Sequence, residues 1–277
     1  MCMRFREAAC VLALMGGACA DDVANRQADR AVLRVCSDPN NLPFSNDRLE
    51  GFENRIASLV AEELNANLEY VWWAQRRGYI RNTLNAGLCD VVIGVPTALE
   101  IVRTTRPYYR SSYVFVTRRG AHEPASFDDP YLTDATIGVH LIGDDFANSP
   151  PAHALSARGL VQNVRGFSLF GDYRQPNPPA ALIDAVSNGA IDVAVAWGPL
   201  AGYFATRSAV PLQLTRVTPD EEPPFPFVFD VSMGVARANV ALHDTLDDVI
   251  GRRRGAIKEI LRDFGVPLVA NPQVAAP

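Results

Sequence analysis

The sequence predicts an α/β protein of two lobes, each a mostly parallel sheet flanked by helices, with two hinge crossovers between them. Short apolar runs rich in β-branched residues, such as residues 90–95 (DVVIGV) and 191–196 (IDVAVA), are typical of parallel strands covered on both faces. Apolar residues at helical spacing lie outside these runs, as at Phe52, Ile56 and Leu59. The 277 residues, 48% of them hydrophobic, are enough for two modest lobes with their own cores.

Two changes in composition mark the crossovers. The chain becomes rich in Pro and Asp after residue 120, and a second Pro-rich segment follows at residues 222–227. We therefore predict that residues 21–119 and 229–277 form lobe 1 and that residues 120–228 form lobe 2. Two crossovers imply a hinge.

Residues 1–20 have the pattern of an export signal peptide. Arg4 and Arg6 precede an apolar stretch, and the small residues Ala18-Cys19-Ala20 form a cleavage site. A degenerate lipoprotein site at Cys19 is the alternative. In both cases the mature protein leaves the cytoplasm, and the segment is too short to span a membrane.

Cys36 and Cys89 remain after cleavage, in an oxidising compartment where a pair of cysteines favours a bridge. A bridge between positions 53 apart (89 minus 36) would restrain the unfolded chain by roughly 4 kcal/mol. The alternative is two buried thiols on neighbouring strands, since strand register decides whether the two residues come within reach.

In lobe 1 a strand at residues 31–36 leads into a loop that contains Asn40, Asn41 and Phe44. Ligands of open parallel sheets meet the carboxyl ends of the strands, so we expect these three residues to face the cleft. The alternative is an ordinary turn with Phe44 in the core. A helix from Phe52, a strand at 68–73 and a second helix at 76–87 follow.

The central stretch, residues 89–119, is predicted to form a buried strand, a turn, a short helix, a Pro-Tyr-Tyr elbow and a second strand. In lobe 2 we predict strands at 136–142, 191–196 and 212–217, a strand and turn at 166–173, and helices at 149–157 and 180–188. Asp144 and Asp145 are predicted caps of the first of these helices. The chain then returns through a strand at 231–236, a helix at 240–264 and a frayed tail at 271–277.

The central stretch resembles the type II periplasmic solute-binding proteins, whose first lobe carries "G-x-T-x-T-x-E-R" and then "S-x-P-Y-Y". The matching residues are Gly94, Thr97, Glu100, Thr105 and Pro107-Tyr108-Tyr109. The family's carboxylate-binding Arg is replaced by Ile101, and Trp197 stands at about the place of the Asp that holds a ligand ammonium. The resemblance therefore implies the two-lobed fold without either anchor for an amino acid.

Five longer segments, among them CSDPNNLPFSN and DVAVAWGPLAGY, resemble a narrower branch, the quinoprotein-dehydrogenase-associated binding proteins of the MoxJ and XoxJ type. This resemblance implies a non-catalytic periplasmic accessory factor. It would bind a methanol or alcohol dehydrogenase dependent on pyrroloquinoline quinone (PQQ), work with a c-type cytochrome, and assist assembly or activation. The alternatives are the solute receptor of an ABC transporter for a small non-amino-acid ligand, and a scaffold without a ligand.

Aromatic side chains without charged anchors suit apolar contact with a protein partner. The predicted cleft or partner-binding residues are Asn40, Asn41, Phe44, Trp73, Pro96, Thr97, Tyr108, Tyr109, Trp197 and Tyr203.

Other functions are not indicated by the sequence. The four histidines lack metal-ligand spacing, and no serine lies in a nucleophile elbow, so we predict no metal site, no cofactor and no enzymatic activity. The net charge of -5 argues against a nucleic-acid partner. We expect a monomer without a membrane span.

Overall fold

The computed structural model describes residues 30–142, 148–169 and 172–270. The predicted signal peptide at 1–20, the predicted helix caps Asp144 and Asp145, and the predicted tail at 271–277 lie outside the described residues.

Most strands of the described chain join one mixed sheet. In chain order the strands are β1 (Val32–Ser37), β2 (Asn40–Asn41), β3 (Ser45–Asn46), β4 (Asn67–Trp72), β5 (Val91–Pro96), β6 (Arg103–Thr104), β7 (Tyr109–Arg118), β8 (Ile137–Leu141), β9 (Val164–Ser168), β10 (Val193–Trp197), β11 (Leu212–Arg216), β12 (Glu221–Glu222), β13 (Phe225–Pro226) and β14 (Val228–Val235). The sheet order is β4-β1-β5-β14-β7-β10-β8-β9, with β11 paired to β7 and β6 to β14. Strands β2 and β3, and likewise β12 and β13, form separate hairpins.

Each end of the sheet is parallel. At one end β1 pairs with β4 and β5, and at the other β8 pairs with β9 and β10. The two apolar runs noted in the sequence become β5 and β10, and most of their side chains are buried. Their β-branched composition thus indicates correctly that both faces of these strands are covered.

Helices cover both ends of the sheet. They are α1 (Phe52–Glu63), α2 (Tyr79–Asn82), α3 (Pro150–Ala157), α4 (Ala181–Ser187), α5 (Gly198–Ala205) and α6 (Val240–Asp263). Helices α1 and α6 pack together on the lobe 1 end, where Phe52 contacts Phe264 edge to face at 5.9 Å. Helix α4 buries its apolar residues on the lobe 2 end, as do Leu200 and Ala201 of α5, whereas Tyr203 of α5 packs in the lobe 1 core. No helix in the described part of the chain is both long and apolar enough to cross a bilayer.

Two strands, β7 and β14, connect the two ends of the sheet. The first part of β7 pairs with β14, and residues 113–118 pair with β10 and β11. Strand β14 pairs with β5 at its other end. Lobe 1 here means the end of the sheet around β1, β4 and β5, and lobe 2 the end around β8, β9 and β10. The boundaries after residues 119 and 228 stay predictions, since the chain passes between the lobes within continuous strands.

Two predicted helices differ in the structure. The short helix expected in the central stretch is absent: residues 97–102 form turns, and β6 then pairs with β14. Ala98 adopts a left-handed conformation (φ 65°), which interrupts any helix there. The helix expected at 76–87 is reduced to α2, because Gly78 before it has a φ of 83° and Thr83 after it is not helical.

Cys36 and Cys89 form a disulfide, with their Cα atoms 5.6 Å apart. Strands β1 and β5 are neighbours, and Cys36 of β1 pairs with Val92 near the start of β5. This resolves the alternatives left by the sequence in favour of the bridge.

Candidate functional site

A cavity of about 430 Å³ lies between the two lobes, in the size range of small-ligand sites. We call it the cleft cavity. Its polar wall is formed by Asp38, Asn40 and Asn41 after β1, Glu53 in the first turn of α1, and Gln75 after β4. Its aromatic wall is formed by Tyr109, Tyr113, Trp197 and Phe229, which belong to β7, β10 and β14.

Six of the ten residues predicted for the cleft line this cavity. They are Asn40, Asn41, Phe44, Pro96, Tyr109 and Trp197. Phe44 contacts both the cavity and the core, since its ring lies 5.3 Å from that of Phe52. The turn and cleft interpretations of the loop after β1 are therefore compatible.

The other four predicted residues lie elsewhere. Tyr203 is buried in the lobe 1 core and stacks on Phe264. Tyr108 packs against the same core, and its hydroxyl donates to the Ile93 carbonyl (3.0 Å). The Thr97 hydroxyl is paired with Ser232 (2.7 Å). Trp73 follows the last residue of β4, and 43% of its surface is exposed outside the cavity. The structure thus does not bring these four residues into the cavity.

Asp38, which sequence analysis missed, anchors the polar wall. Its carboxylate accepts hydrogen bonds from the backbone N–H groups of Asn40 (2.8 Å) and Gln75 (2.6 Å). The Tyr173 hydroxyl of lobe 2 donates to the same carboxylate. These three donors compensate the buried charge of Asp38. Burial and the bond to Asp38 together raise the pKa of Tyr173, so its hydroxyl stays protonated.

Further contacts hold the two lobes together at this side of the cavity. The Asn40 amide donates to the Gln175 carbonyl (2.9 Å) and accepts from the Asn177 backbone N–H (3.3 Å). The Arg76 guanidinium lies 5.0 Å from the centre of the Tyr173 ring. The cleft is therefore bridged by side chains of both lobes.

Glu53, also missed, is the least compensated group of the cavity. It lies in the first turn of α1, and no hydrogen bond or ion pair to its carboxyl group is made by the described residues. The residue is partly buried: protein surrounds most of its side chain, and the carboxyl oxygens stay accessible from the cavity. Burial, and then the nearby charge of Asp38, raise the pKa of Glu53 to about 8. At neutral pH the group is mainly a neutral carboxylic acid.

Gly94 makes room for this carboxyl group. A Cβ atom on Gly94 would lie 2.0 Å from Oε1 of Glu53, far closer than van der Waals contact allows. The glycine within the β-branched run of β5 thus allows the acid to lie against the strand.

The aromatic wall is a set of rings packed edge to face. Tyr113 and Trp197 are paired across β7 and β10, with ring centres 5.5 Å apart. Phe229 lies 5.7 Å from Trp197 and 6.3 Å from Tyr113. Their packing fixes the orientation of each ring, so the wall offers a preformed apolar surface.

Positive charge is absent from the described lining of the cavity. It contains neither Arg nor Lys, and burial lowers the pKa of its one imidazole, His140, to about 4. Ile101, at the position of the family Arg, is 51% exposed and lies outside the cavity. Among the described residues, no three His, Cys, Asp or Glu side chains are grouped to hold a metal ion. The cavity is therefore suited to apolar, neutral or cationic groups rather than to carboxylates.

The family model of bacterial extracellular solute-binding proteins, family 3, matches residues 33–264. The chain belongs to this family. Within it, the chain is 31% identical to the protein MoxJ of Methylorubrum extorquens over 250 residues, which cover 87% of the chain and 83% of MoxJ.

Two solved structures support this placement in family 3. One is the periplasmic binding protein XoxJ from Methylobacterium extorquens AM1, with 39% identity over 87% of the chain and 100% of XoxJ, and a TM-score of 0.72. The other is MxaJ from Methlophaga aminisulfidivorans MPT, with 26% identity over 86% of the chain and 100% of MxaJ, and a TM-score of 0.75. The predicted fold and the predicted resemblance to the MoxJ and XoxJ type are confirmed. None of these names denotes an enzyme, in agreement with the prediction that this family 3 member is not one.

Proposed function

We propose that the protein is a periplasmic accessory factor that binds a PQQ-dependent methanol or alcohol dehydrogenase and assists its assembly or activation, with a c-type cytochrome in the same system. The observation that carries this proposal is the similarity to MoxJ, XoxJ and MxaJ along nearly the whole described chain. The level of identity, 31% to MoxJ and 39% to XoxJ, supports the proposal more than the extent of the match, because amino-acid-binding proteins match as much of the chain at about 20% identity.

The site supports the same proposal. Both anchors for an amino acid are replaced, and the aromatic wall offers the rigid apolar area that contributes most to protein interfaces. A stable complex buries on the order of 1,600 Å² in total, so the partner would also contact surface beyond the cleft. We expect the factor itself to be a monomer without a cofactor.

The test is binding of the purified protein to the apo-dehydrogenase of the same organism, measured by biolayer interferometry. Trp197→Ala removes the central ring of the aromatic wall, and we expect it to weaken binding at least tenfold. The matched control is Trp73→Ala, which removes the same side chain outside the cavity. If the wild-type protein does not bind the dehydrogenase in any cofactor state, the proposal is wrong. Loss of affinity in Trp73→Ala alone would move the contact from the cleft to the end of β4.

A second function is favoured by the cleft cavity itself. A cavity of about 430 Å³, bridged by contacts from both lobes, is the arrangement by which a solute receptor holds a small ligand. The alternative proposal is therefore a receptor for a small ligand that is not an amino acid, delivering it to an ABC transporter.

A further inference from the structure

The two carboxyl groups of the polar wall differ in how their charge is compensated. Asp38 receives three hydrogen bonds from the protein, two of them from backbone N–H groups. Glu53 receives none from the described residues and lies in the same small cavity. A carboxyl group that is largely shielded from bulk water, makes no bond to the protein and faces a cavity gains most from a ligand that supplies the missing partner.

The ionisable groups around Glu53 restrict which charge the ligand can carry. Titratable side chains near it come from four other elements of the chain: Asp38, Tyr70, Tyr79, Tyr108 and Tyr109. Burial raises the pKa of each of these tyrosines, so all four hydroxyls remain neutral. Asp38 is then the remaining charge near Glu53, and it is negative.

An anion is disfavoured in this cavity by repulsion from Asp38. A neutral alcohol could bond to Glu53, but it would leave the negative potential unchanged. A cation offsets the negative charge of Asp38, which helps keep Glu53 protonated, and so allows Glu53 to ionise; the faces of the nearby rings attract cations as well.

We propose that the cleft cavity binds a small organic ammonium ion, whose charged head pairs with the Glu53 carboxylate while its alkyl part lies on the aromatic wall. The ligand carries no carboxylate, because no Arg or Lys of the described lining could receive one. This inference names the ligand class for the small-ligand function and rests on it, but it does not depend on binding to the dehydrogenase.

Proton exchange accompanies this binding. The ligand enters as an ammonium ion, the O–H bond of the Glu53 carboxylic acid breaks, and its proton goes to the buffer. Because the pKa of Glu53 is raised to about 8, affinity rises with pH below that value, by up to tenfold for each pH unit, and levels off above it.

The experiment uses three probes with the same alkyl chain: n-butylammonium, n-butanol and butyrate. Isothermal titration calorimetry at neutral pH, in two buffers of different ionisation enthalpy, measures affinity and proton release together. We expect n-butylammonium to bind at least tenfold more tightly than either other probe and to release up to one proton. Glu53→Gln should weaken its binding at least tenfold and abolish the proton release.

The control variant is Glu62→Gln, which makes the same change of charge on the exposed side of α1 and should bind n-butylammonium like the wild type. Circular dichroism establishes that both variants are folded. Equal binding of n-butanol or butyrate would overturn the ammonium assignment while leaving a small-ligand receptor in place. Unchanged binding and proton release in Glu53→Gln would also overturn it, and neither result bears on the dehydrogenase.

Discussion

The two walls of the cleft cavity differ in what fixes their side chains and in whether they carry carboxyl groups. The polar wall consists of loop and helix-start residues that place two carboxyl groups in one cavity, Asp38 with three hydrogen bonds and Glu53 with none from the described residues. The aromatic wall consists of strand residues whose rings are fixed by packing, and it carries no charge. If the cavity binds a ligand as proposed, we expect the polar wall to select its charge and the aromatic wall to provide contact area. Three further predictions test that division.

The largest expected effect is the pH dependence caused by Glu53. Its pKa is 4.5 in an unfolded chain and about 8 in the folded protein, so the folded state holds a proton that the unfolded state has released between these values. Stability is therefore greatest below pH 4.5 with respect to this group and falls as the pH rises to about 8. Over the whole window the loss is on the order of 4 kcal/mol.

His140 has the opposite sign, because its lowered pKa of about 4 reduces stability as the pH falls below 6.5. The Glu53 effect is thus best measured between pH 6.5 and pH 8, where it amounts to about 2 kcal/mol. Urea unfolding at both ends of this range should show that slope in the wild type and in Glu62→Gln. It should be absent in Glu53→Gln, and a slope that persists there would assign the titration to another group.

A smaller effect is expected from Gly94→Ala, which tests whether the polar wall is tightly packed. The new Cβ collides with Oε1 of Glu53, and the carboxyl group, at the end of a flexible side chain, must shift toward the cavity, at a cost of about 1 kcal/mol. Thermal unfolding measures the loss, and a double-mutant cycle with Glu53→Ala isolates the part due to the collision. Gly255→Ala is the control, since a Cβ there meets no atom within 4 Å. Additive effects in the cycle would contradict the close contact.

The smallest effect is expected from Tyr173→Phe, which removes the hydroxyl of lobe 2 that donates to the Asp38 carboxylate of lobe 1. We expect a loss of about 1 kcal/mol in stability, because Asp38 keeps its two backbone donors, and a larger radius of gyration by small-angle X-ray scattering as the lobes separate more easily. Tyr131→Phe is a suitable control, since the Tyr131 hydroxyl makes no hydrogen bond within the described chain and the residue lies away from the cavity. An unchanged radius would show that the other bridging contacts suffice.

The sequence predicted the fold well because one central strand of each lobe, β5 or β10, is buried on both faces, and such burial produces a continuous apolar run in the sequence. It predicted less of the region after β5, where the left-handed turn at Ala98 replaces a helix. Local patterns do not reveal a single reversed backbone angle when the residue is not a glycine.

The polar wall was harder to foresee than the aromatic one. Trp197 and Tyr109 stand out by composition, whereas Glu53 reads as an ordinary acid in the first turn of a helix, where it suits the helix dipole. Only the packing of α1 against β5 directs the Glu53 side chain toward the cavity. Two signals were available: Asp38 directly follows β1, at the carboxyl end of a strand, and Gly94 interrupts an otherwise β-branched run.

The position of Trp197 at the junction of crossing strands has a practical consequence. Its indole is paired with Tyr113 on β7, a strand shared by both lobes, and the chain contains only two other tryptophans, Trp72 and Trp73. Any rotation of one half against the other alters the water and dipoles around that indole. With both other tryptophans changed to Phe, the wavelength of maximum emission of Trp197 reports opening and closing of the lobes in real time, without an attached dye.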